Sequence, residues 1–476
     1  MNSIYVDHAA TTPMDPRVLD AMRPFFTFRF GNPSSTHRVG ITTREAIEKA
    51  RSQLAALINA APEEVYFTSG GTEADNLALK GYAFANCAKG RHIIVSSIEH
   101  HAVLHSAETL RKFGFEVSIL PVDGLGRVNP QDVNRVVRKD TILISVMHAN
   151  NEVGTVQDIA EVGRIAKEAG VILHTDAVQT VGSIPVAVNE LGVDMLSLSA
   201  HKFYGPKGVG ALYVREGVRI IPSLDGGVQE RGLRAGTENV PAIVGMGAAA
   251  QIAQTEMALR STHISKLRDL LTETILQLDS GITLNGHRHE RLPGNVSVCL
   301  GKIRSHESLR ALNSKGICAS SGSACTSHAL KPSHVLTAMG IPSEEAMTVL
   351  RLTFGKDNTE TEVQRIVEEL CNIMKFTSIP FQYVSTAKDD SKPIQSEEKK
   401  IISVDARGLY CPMPVLKTRE IFDSMNIGDT LQVIADDPAA ESDLQNWARF
   451  TGQKVISVQR RGSEICFSIE KVRVIS

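Results

Sequence analysis

Three observations predict an α/β protein in two parts. Short apolar runs recur along residues 1 to about 375, a helix-patterned segment joins two of them, and a polar stretch near residue 385 sets apart a shorter unit. The runs are His92–Ile98, Thr141–His148, Val171–Ala177 and Val193–Ala200. Each is β-branched or leucine-rich and apolar through most of its length, the pattern of strands covered on both faces in a parallel sheet. Between the second and third lies Asp158–Gly170, with Asp at its start, apolar residues at helical spacing and a terminal Gly. It predicts a crossover helix, and the whole predicts a large α/β domain.

Residues Ser385–Lys400 are polar, charge-mixed and almost free of apolar side chains, so a linker is expected over 381–400. The stretch also fits a solvated surface helix. From Ile401 a second unit reads strand, helix, strand, helix, strand, strand. Its last two strands, KVISVQ and ICFSIEKV, are joined by RRGSE, a Gly-containing hairpin turn.

The 476 residues are 42% hydrophobic and 22% charged, with a net charge of −2. That balance gives no general electrostatic reason to bind nucleic acid or an anionic membrane. The start, MNSIYVDHAATTP, lacks a basic segment followed by an apolar core, so no secretory signal is expected. No uninterrupted apolar run is long enough to predict a membrane span. Seven cysteines are scattered from Cys87 to Cys466 without metal-ligand spacing or a disulfide framework. Free thiols in a reducing, cytoplasmic compartment are expected, with no bound metal.

Lys202 follows the run VDMLSLSA and precedes a Gly/Pro loop. An enclosed lysine at a strand end can lose its proton and form a Schiff base; most lysines are solvated surface charges. Asp176 ends VILHTDA, at the strand edge where open α/β sheets bind ligands. It suits a pyridinium nitrogen, which needs a carboxylate partner. Taken alone, Asp176 fits a helix N-cap equally well. In FTSGGTEADN (Phe67–Asn76), glycines precede a helix-like segment, which makes a phosphate cradle or a simple capped turn. The three together form a more specific set than any one.

At this point residues 1 to about 375 resemble the NifS/IscS-type cysteine desulfurases, of the class V aminotransferase-like group with pyridoxal-phosphate fold type I. The stretches that carry the resemblance include YVDHAATTP (Tyr5–Pro13), FGNPSSTH (Phe30–His37), FTSGGTEADNLALKG (Phe67–Gly81), EHHAVL (Glu99–Leu104), HANNEVGTVQDI (His148–Ile159), SAHKFYGPKGVGALYV (Ser199–Val214), RAGTENV (Arg234–Val240) and SSGSACTS (Ser320–Ser327). The resemblance implies a large domain of about 15–255 and a small domain built from the N-terminal segment and about 256–380. It implies that Lys202 holds pyridoxal 5'-phosphate covalently, Asp176 pairs with the ring nitrogen and Gln179 contacts the phenolic oxygen. His100 would stack on the ring and assist proton transfer, and Gly71, Thr72, Ser199 and His201 would bind the phosphate. Thr237 would reach the partner subunit's phosphate, so a homodimer is expected. Asn151 would lie near ring and substrate. Arg351 would grip the substrate carboxylate with its planar fork; a surface salt bridge is its other reading.

Cys325 lies in SSGSACTSHAL, a run of small polar residues expected to form a mobile loop in which a thiol is accessible. Cys299 and Cys466 lie in apolar strand-like contexts and are expected to be buried, as is Cys318 in KGICAS, and Cys87 and Cys371 lie in helix-like segments. Cys325 is therefore the expected nucleophile, and the resemblance agrees. Cys411 opens CPMPVLKTREIFDSM, where Pro412 and Pro414 fit only the first turn of a helix. Its thiol then sits where helix amides favour a thiolate. Residues 401–476 also resemble the TusA/SirA-type sulfur carriers, through VDARGLYCPMP (Val404–Pro414) and IADDPAAESDL (Ile434–Leu444). That resemblance implies a two-layer α/β sandwich whose cysteine carries a persulfide.

The expected function is conversion of L-cysteine to L-alanine with a persulfide on Cys325, relayed to Cys411 and on to an acceptor protein of iron–sulfur cluster assembly or tRNA thiolation. The alternatives are a selenocysteine lyase and, in a different class, a non-catalytic sulfur-relay adaptor. The presence of Lys202, Asp176, His100 and Cys325 together argues against the adaptor.

Overall fold

A computed structural model describes residues 3–279, 281–322, 332–377, 400–409, 413–423, 425–437, 440–461 and 464–472. Cys325, Cys411 and the expected linker, apart from Lys400, lie outside the described residues. The chain divides into two units, Met1–Pro380 and Phe381–Ser476. The strands of the first are β1 (Ile4–Tyr5), β2 (Val65–Thr68), β3 (His92–Ser96), β4 (Glu116–Leu120), β5 (Thr141–Ser145), β6 (Ile172–Asp176), β7 (Met195–Ser199), β8 (Gly210–Val214), β9 (Thr283–Leu284), β10 (Asn295–Cys299), β11 (Ile317–Cys318) and β12 (Val349–Thr353). Those of the second are β13 (Ile401–Asp405), β14 (Thr430–Ala435), β15 (Lys454–Arg461) and β16 (Glu464–Glu470).

The apolar runs become the centre of a seven-stranded sheet ordered β2-β8-β7-β6-β5-β3-β4. From β7 to β4 every pairing is parallel, and β8 alone runs against its neighbours. Both faces are covered, which is why β3, β5, β7 and β8 are buried at every residue. Side-chain alternation divides them between two cores: Ile94, Ile144, Leu173 and Leu196 pack on one face, Ile93, Leu143, Met195 and Leu212 on the other. The crossover helix spans Ile159–Ala169, as its sequence signals imply. Asp158 accepts from the Glu161 amide at 3.2 Å, and Gly170 closes the helix at φ 68°, a left-handed conformation that favours glycine.

Helix Val240–Leu278 is 39 residues long and serves two cores. Val240, Ile243, Met246 and Ala253 pack with the large sheet, whereas Leu267, Leu271 and Ile275 join Ile4, Val6, Val298, Leu350 and Leu352 in a separate cluster. Around that second core lie the antiparallel sheet β12-β10-β9 and the parallel pair β1-β11. The N-terminal segment thus begins among the small-sheet strands and runs on to the large sheet.

The second unit has the order read from its sequence: β13, helix Met413–Asp423, β14, helix Ala440–Thr451, β15, β16. Its sheet is ordered β13-β14-β16-β15, with β13 and β14 parallel and the other pairs antiparallel. Leu431, Val433, Phe467 and Ile469 pack with Phe422, Leu444 and Ala448 of the helices. Lys471 is buried but satisfied: its amine donates to the Phe422 and Met425 carbonyls, both at 2.7 Å, just where the first helix ends.

Cys299 is buried in β10, as expected, but Cys318 and Cys466 are only half-buried. Cys318 sits in a two-residue strand at the edge of the small lobe. Period-two alternation places Cys466 on the sheet face opposite Phe467, the face not packed in the core. Cys87 and Cys371 are half-buried.

Candidate active site

Asp176 ends β6, and Ser199 ends the neighbouring parallel strand β7. A single 3-10 turn, Ala200–Lys202, then brings His201 and Lys202 to the same sheet edge. Strand β2 delivers Gly71 there, at the start of a helical run that continues to Asn86. A Cβ on Gly71 would stand 2.6 Å from Val178 Cγ2 and 3.7 Å from Ser199 Cβ, so only glycine lets this backbone come so close to the Asp176 and Ser199 strand ends. Thr72 is exposed beside it.

The Lys202 amine donates to the Ala9 and Ala10 carbonyls, the second at 2.8 Å. Gln179 Nε2 donates to the same Ala9 carbonyl at 3.0 Å. His201 Nδ1 lies 3.1 Å from the Thr11 hydroxyl, and its carbonyl accepts from Thr12. The N-terminal HAATT segment therefore holds three of the expected cofactor residues. His100 caps helix His101–Lys112, its Nδ1 accepting from the Ala102 amide at 3.2 Å. Burial first, and the Lys202 charge second, lower the His100 pKa to about 4, so its ring is neutral. His201 is lowered to about 4 by the same two causes in the same order, helped by Lys207.

Burial pushes the Asp176 carboxyl above the usual carboxylate range, opposed by the Val178 amide at 2.9 Å and by the Lys202 charge. Asp75, fully buried nearby, is pushed up further by burial and by the Asp176 charge, and Glu99 is raised to about 8 chiefly by burial. Glu99 accepts from the Ser96 hydroxyl at 2.5 Å and the Met147 amide at 2.7 Å. A buried carboxylate at a strand end is stable as an anion when a cation faces it. A protonated ring nitrogen supplies one, and the close Gly71 approach, the Lys202 amine and the neutral His100 ring suit the rest of pyridoxal phosphate.

Arg351 lies in β12, with its side chain 2% exposed. It pairs with Asp7 at 2.9 Å and donates to the Asn151 carbonyl at 3.0 Å. Its Nε is buried without a partner among the described residues. The surface-salt-bridge reading of Arg351 is thus replaced by a buried pair. Thr237 is exposed in the loop before helix Val240–Leu278, and no hydrogen bond among the described residues joins it to the Lys202 group. Residues that sequence reasoning left without a role are Asp7, the Ala9 and Ala10 carbonyls, Asp75 and Glu99. The only available signal was their presence in YVDHAATTP, FTSGGTEADN and EHHAVL.

In the second unit, the turn before Cys411 is tied down on both sides. The Gly408 amide donates to Asp436 at 2.8 Å, Arg407 pairs with Asp405 at 2.7 Å, and Lys417 donates to the Asp405 carbonyl at 2.5 Å.

Residues 4–366 match the family described as Aminotransferase class-V, and residues 402–471 match Sulfurtransferase TusA. A cysteine desulfurase IscS of Methanosarcina thermophila is 52% identical over 373 residues, covering 78% of this chain and 92% of that protein. One from Dictyoglomus turgidum is 50% identical over 380 residues, covering 78% and 96%. Among solved structures, a NifS-like protein aligns with a TM-score of 0.74 at 41% identity, covering 79% of this chain and all of that one. DndA from Streptomyces lividans aligns with a TM-score of 0.63 at 38% identity, covering 74% and 99%.

Proposed function

The chain belongs to the class-V aminotransferase family and is a pyridoxal-phosphate-dependent cysteine desulfurase, and from that premise we propose that it holds the sulfur of L-cysteine first on Cys325 and then on Cys411 of its own C-terminal unit. The observation that carries the catalytic half is the meeting of the Lys202 amine with the ends of the adjacent strands β6 and β7, where Asp176 and Ser199 stand. The carrier half rests on the TusA-type match around Cys411.

In this reading Lys202 holds the cofactor, Asp176 faces its ring nitrogen, Gln179 its phenolic oxygen, and the neutral His100 ring lies against it. Gly71, Thr72, Ser199 and His201 bind its phosphate. When bound, the cofactor supplies an electron sink at the substrate α-carbon. Asn151 and Arg351 hold the substrate carboxylate, and the released Lys202 amine carries the α-proton. The Cys325 thiolate attacks the substrate sulfur. The new sulfur–sulfur bond forms as the carbon–sulfur bond breaks, its electron pair passes to the β-carbon and takes up a proton there, the Lys202 amine returns the α-proton, and alanine leaves. The Cys411 thiolate then attacks the outer sulfur of that persulfide and frees Cys325. An acceptor protein of iron–sulfur cluster assembly or thiolation takes the sulfur from there.

A homodimer fits the exposure of Phe26 (61%), Phe28 (85%) and Val228 (86%), large apolar side chains that a second copy would cover. Thr237 then serves the partner's phosphate. No helix among the described residues is long and apolar enough to cross a membrane.

The test is persulfide mapping by peptide mass spectrometry after isotope-labelled L-cysteine. The native chain should carry label on Cys325 and Cys411, Cys411→Ser on Cys325 alone, and Cys325→Ser on neither. Label on Cys411 in the Cys325→Ser chain would show that the relay does not pass through Cys325.

A further inference from the structure

Arg351 already holds a carboxylate, and it belongs to the protein. A guanidinium offers paired N–H edges that match the two oxygens of a carboxylate. On the Nε/Nη2 edge, Nη2 is paired with Asp7 Oδ1 at 2.9 Å, while Nε is buried with no partner among the described residues. The remaining nitrogen, Nη1, is held by the Asn151 carbonyl. The edge that an incoming carboxylate would take is therefore half bare and half occupied by Asp7.

Asp7 stands on a segment fastened at both ends. Val6 accepts from the Thr353 amide at 2.7 Å, and the Ala9 amide donates to the Thr353 hydroxyl at 2.9 Å, two residues along β12 from Arg351. Farther on, Ala9 and Ala10 accept from the Lys202 amine, Ala9 also accepts from Gln179, and the Thr12 amide donates to the His201 carbonyl. One short stretch thus joins the guanidinium to the amine that carries the chemistry.

We infer that Asp7 is a resident carboxylate that occupies Arg351 until the substrate carboxylate displaces it, and that its departure loosens residues 9–12 from Gln179 and His201, which tie them to the site. The inference rests on the reading of Arg351 as the carboxylate grip. Two anions cannot share one buried cation without repulsion, so the arrival of one favours the departure of the other. Asp7 is a positioning residue in this scheme. It sets how tightly amino acids bind and touches none of the reacting bonds.

The test uses the cofactor-loaded, full-length enzyme and L-alanine, the reaction product, as a carboxylate probe that has no sulfur to give up. Binding is measured by titration calorimetry and hydrogen exchange is followed over residues 7–12. Asp7→Asn removes the competing charge at constant shape. It should tighten alanine binding by about ten- to a hundredfold, the range of one hydrogen bond to a charged group. It should leave the affinity for L-alanine methyl ester unchanged, because the ester has no carboxylate anion. Asp7→Glu keeps the charge and should bind alanine within about threefold of the native chain. In the native enzyme, alanine should speed exchange in residues 7–12; in Asp7→Asn the same amides should exchange fast without it. For L-cysteine, Asp7→Asn should lower KM more than it changes kcat. Arg351→Lys should weaken alanine binding. If it does not, the reading of Arg351 fails. If it does, and Asp7→Asn binds alanine no tighter or more weakly than the native chain, Asp7 serves only to orient Arg351 and the inference is overturned.

Discussion

Around Lys202 the first unit keeps Asp75, Glu99, Asp176, His174 and Arg351 out of water, whereas the second unit is built on Val404, Phe422, Leu431, Val433, Phe467 and Ile469. All 15 histidines of the chain lie before residue 335. Breaking a carbon–sulfur bond calls for fixed charges in a dry place, where each is worth more than in water. Carrying a sulfur atom calls for a nucleophilic thiol on a stable frame. One chain therefore holds a region with charges gathered in a dry site and a region whose apolar core is flanked by buried Asp429, Asp437 and Lys471. Each should respond to a different kind of damage.

The largest separation should come from Lys202→Ala. It should lower alanine formation by at least about a thousandfold and abolish the visible absorbance of the bound cofactor. The second unit should stay folded, as judged by its own calorimetric transition. The converse is Phe467→Ala, which removes a fully buried ring from the second core. A cost of about 3–5 kcal/mol is expected for that unit. Alanine formation with a strong reductant as sulfur acceptor should stay within about twofold, because the sites share no partners. A large fall in turnover would mean that the two regions are coupled through more than the thiol.

The smallest effect sharpens the contrast through pH. In the first unit the environment lowers His8, His92, His100, His101, His148, His174 and His201 from 6.5, several of them to about 4. It raises Asp75, Glu99, Asp176 and Asp194. Below pH 6.5 the unfolded chain takes up histidine protons that the folded unit refuses until about 4. The seven histidines outnumber the four carboxyls that hold protons when folded, so stability falls as pH drops through this window. Above it the sign reverses, because Glu99 keeps its proton to about 8 when folded and to 4.5 when unfolded. Stability of the first unit should therefore peak near pH 6.5. Its melting temperature should fall on either side by about 1–2 °C for each kcal/mol lost, given its size. The second unit, which has no histidine, should show no change between pH 5 and 7 by scanning calorimetry. A parallel decline in both transitions would remove the contrast.

The elements most legible in the sequence are those bounded by local chemistry. Asp158 and Gly170 mark their helix because a cap and a left-handed glycine act within one turn of the residues that they close. Asp176 and Lys202 are legible as standing at or just past strand ends because a largely apolar run stops beside each. What depends on distant partners is not legible. The reversal of β8 is set by pairing with β2 and β7, and the run GALYV carries no mark of direction. In the two-residue strand β11 Ile317 is buried and Cys318 only half so, a difference that KGICAS does not reveal. Asp7 and Arg351 are 344 residues apart, and no spacing rule connects them. The nucleophilic and carrier thiols are legible by composition and position, through the small polar residues around Cys325 and the prolines after Cys411.

Helix Val240–Leu278 extends over about 58 Å at the usual rise per residue. Its first turns are buried with the large sheet and its later turns with the small one. A rod embedded in two cores makes them a single melting unit, because losing either core strips the apolar cover from half of the rod and leaves the rest too short of contacts to persist. Partial unfolding of the small lobe alone is thereby disfavoured, and with it any long-lived form in which a loaded Lys202 faces a half-open protein. Heat should take the first unit apart in one step, and proteases should find few intermediate cuts within it.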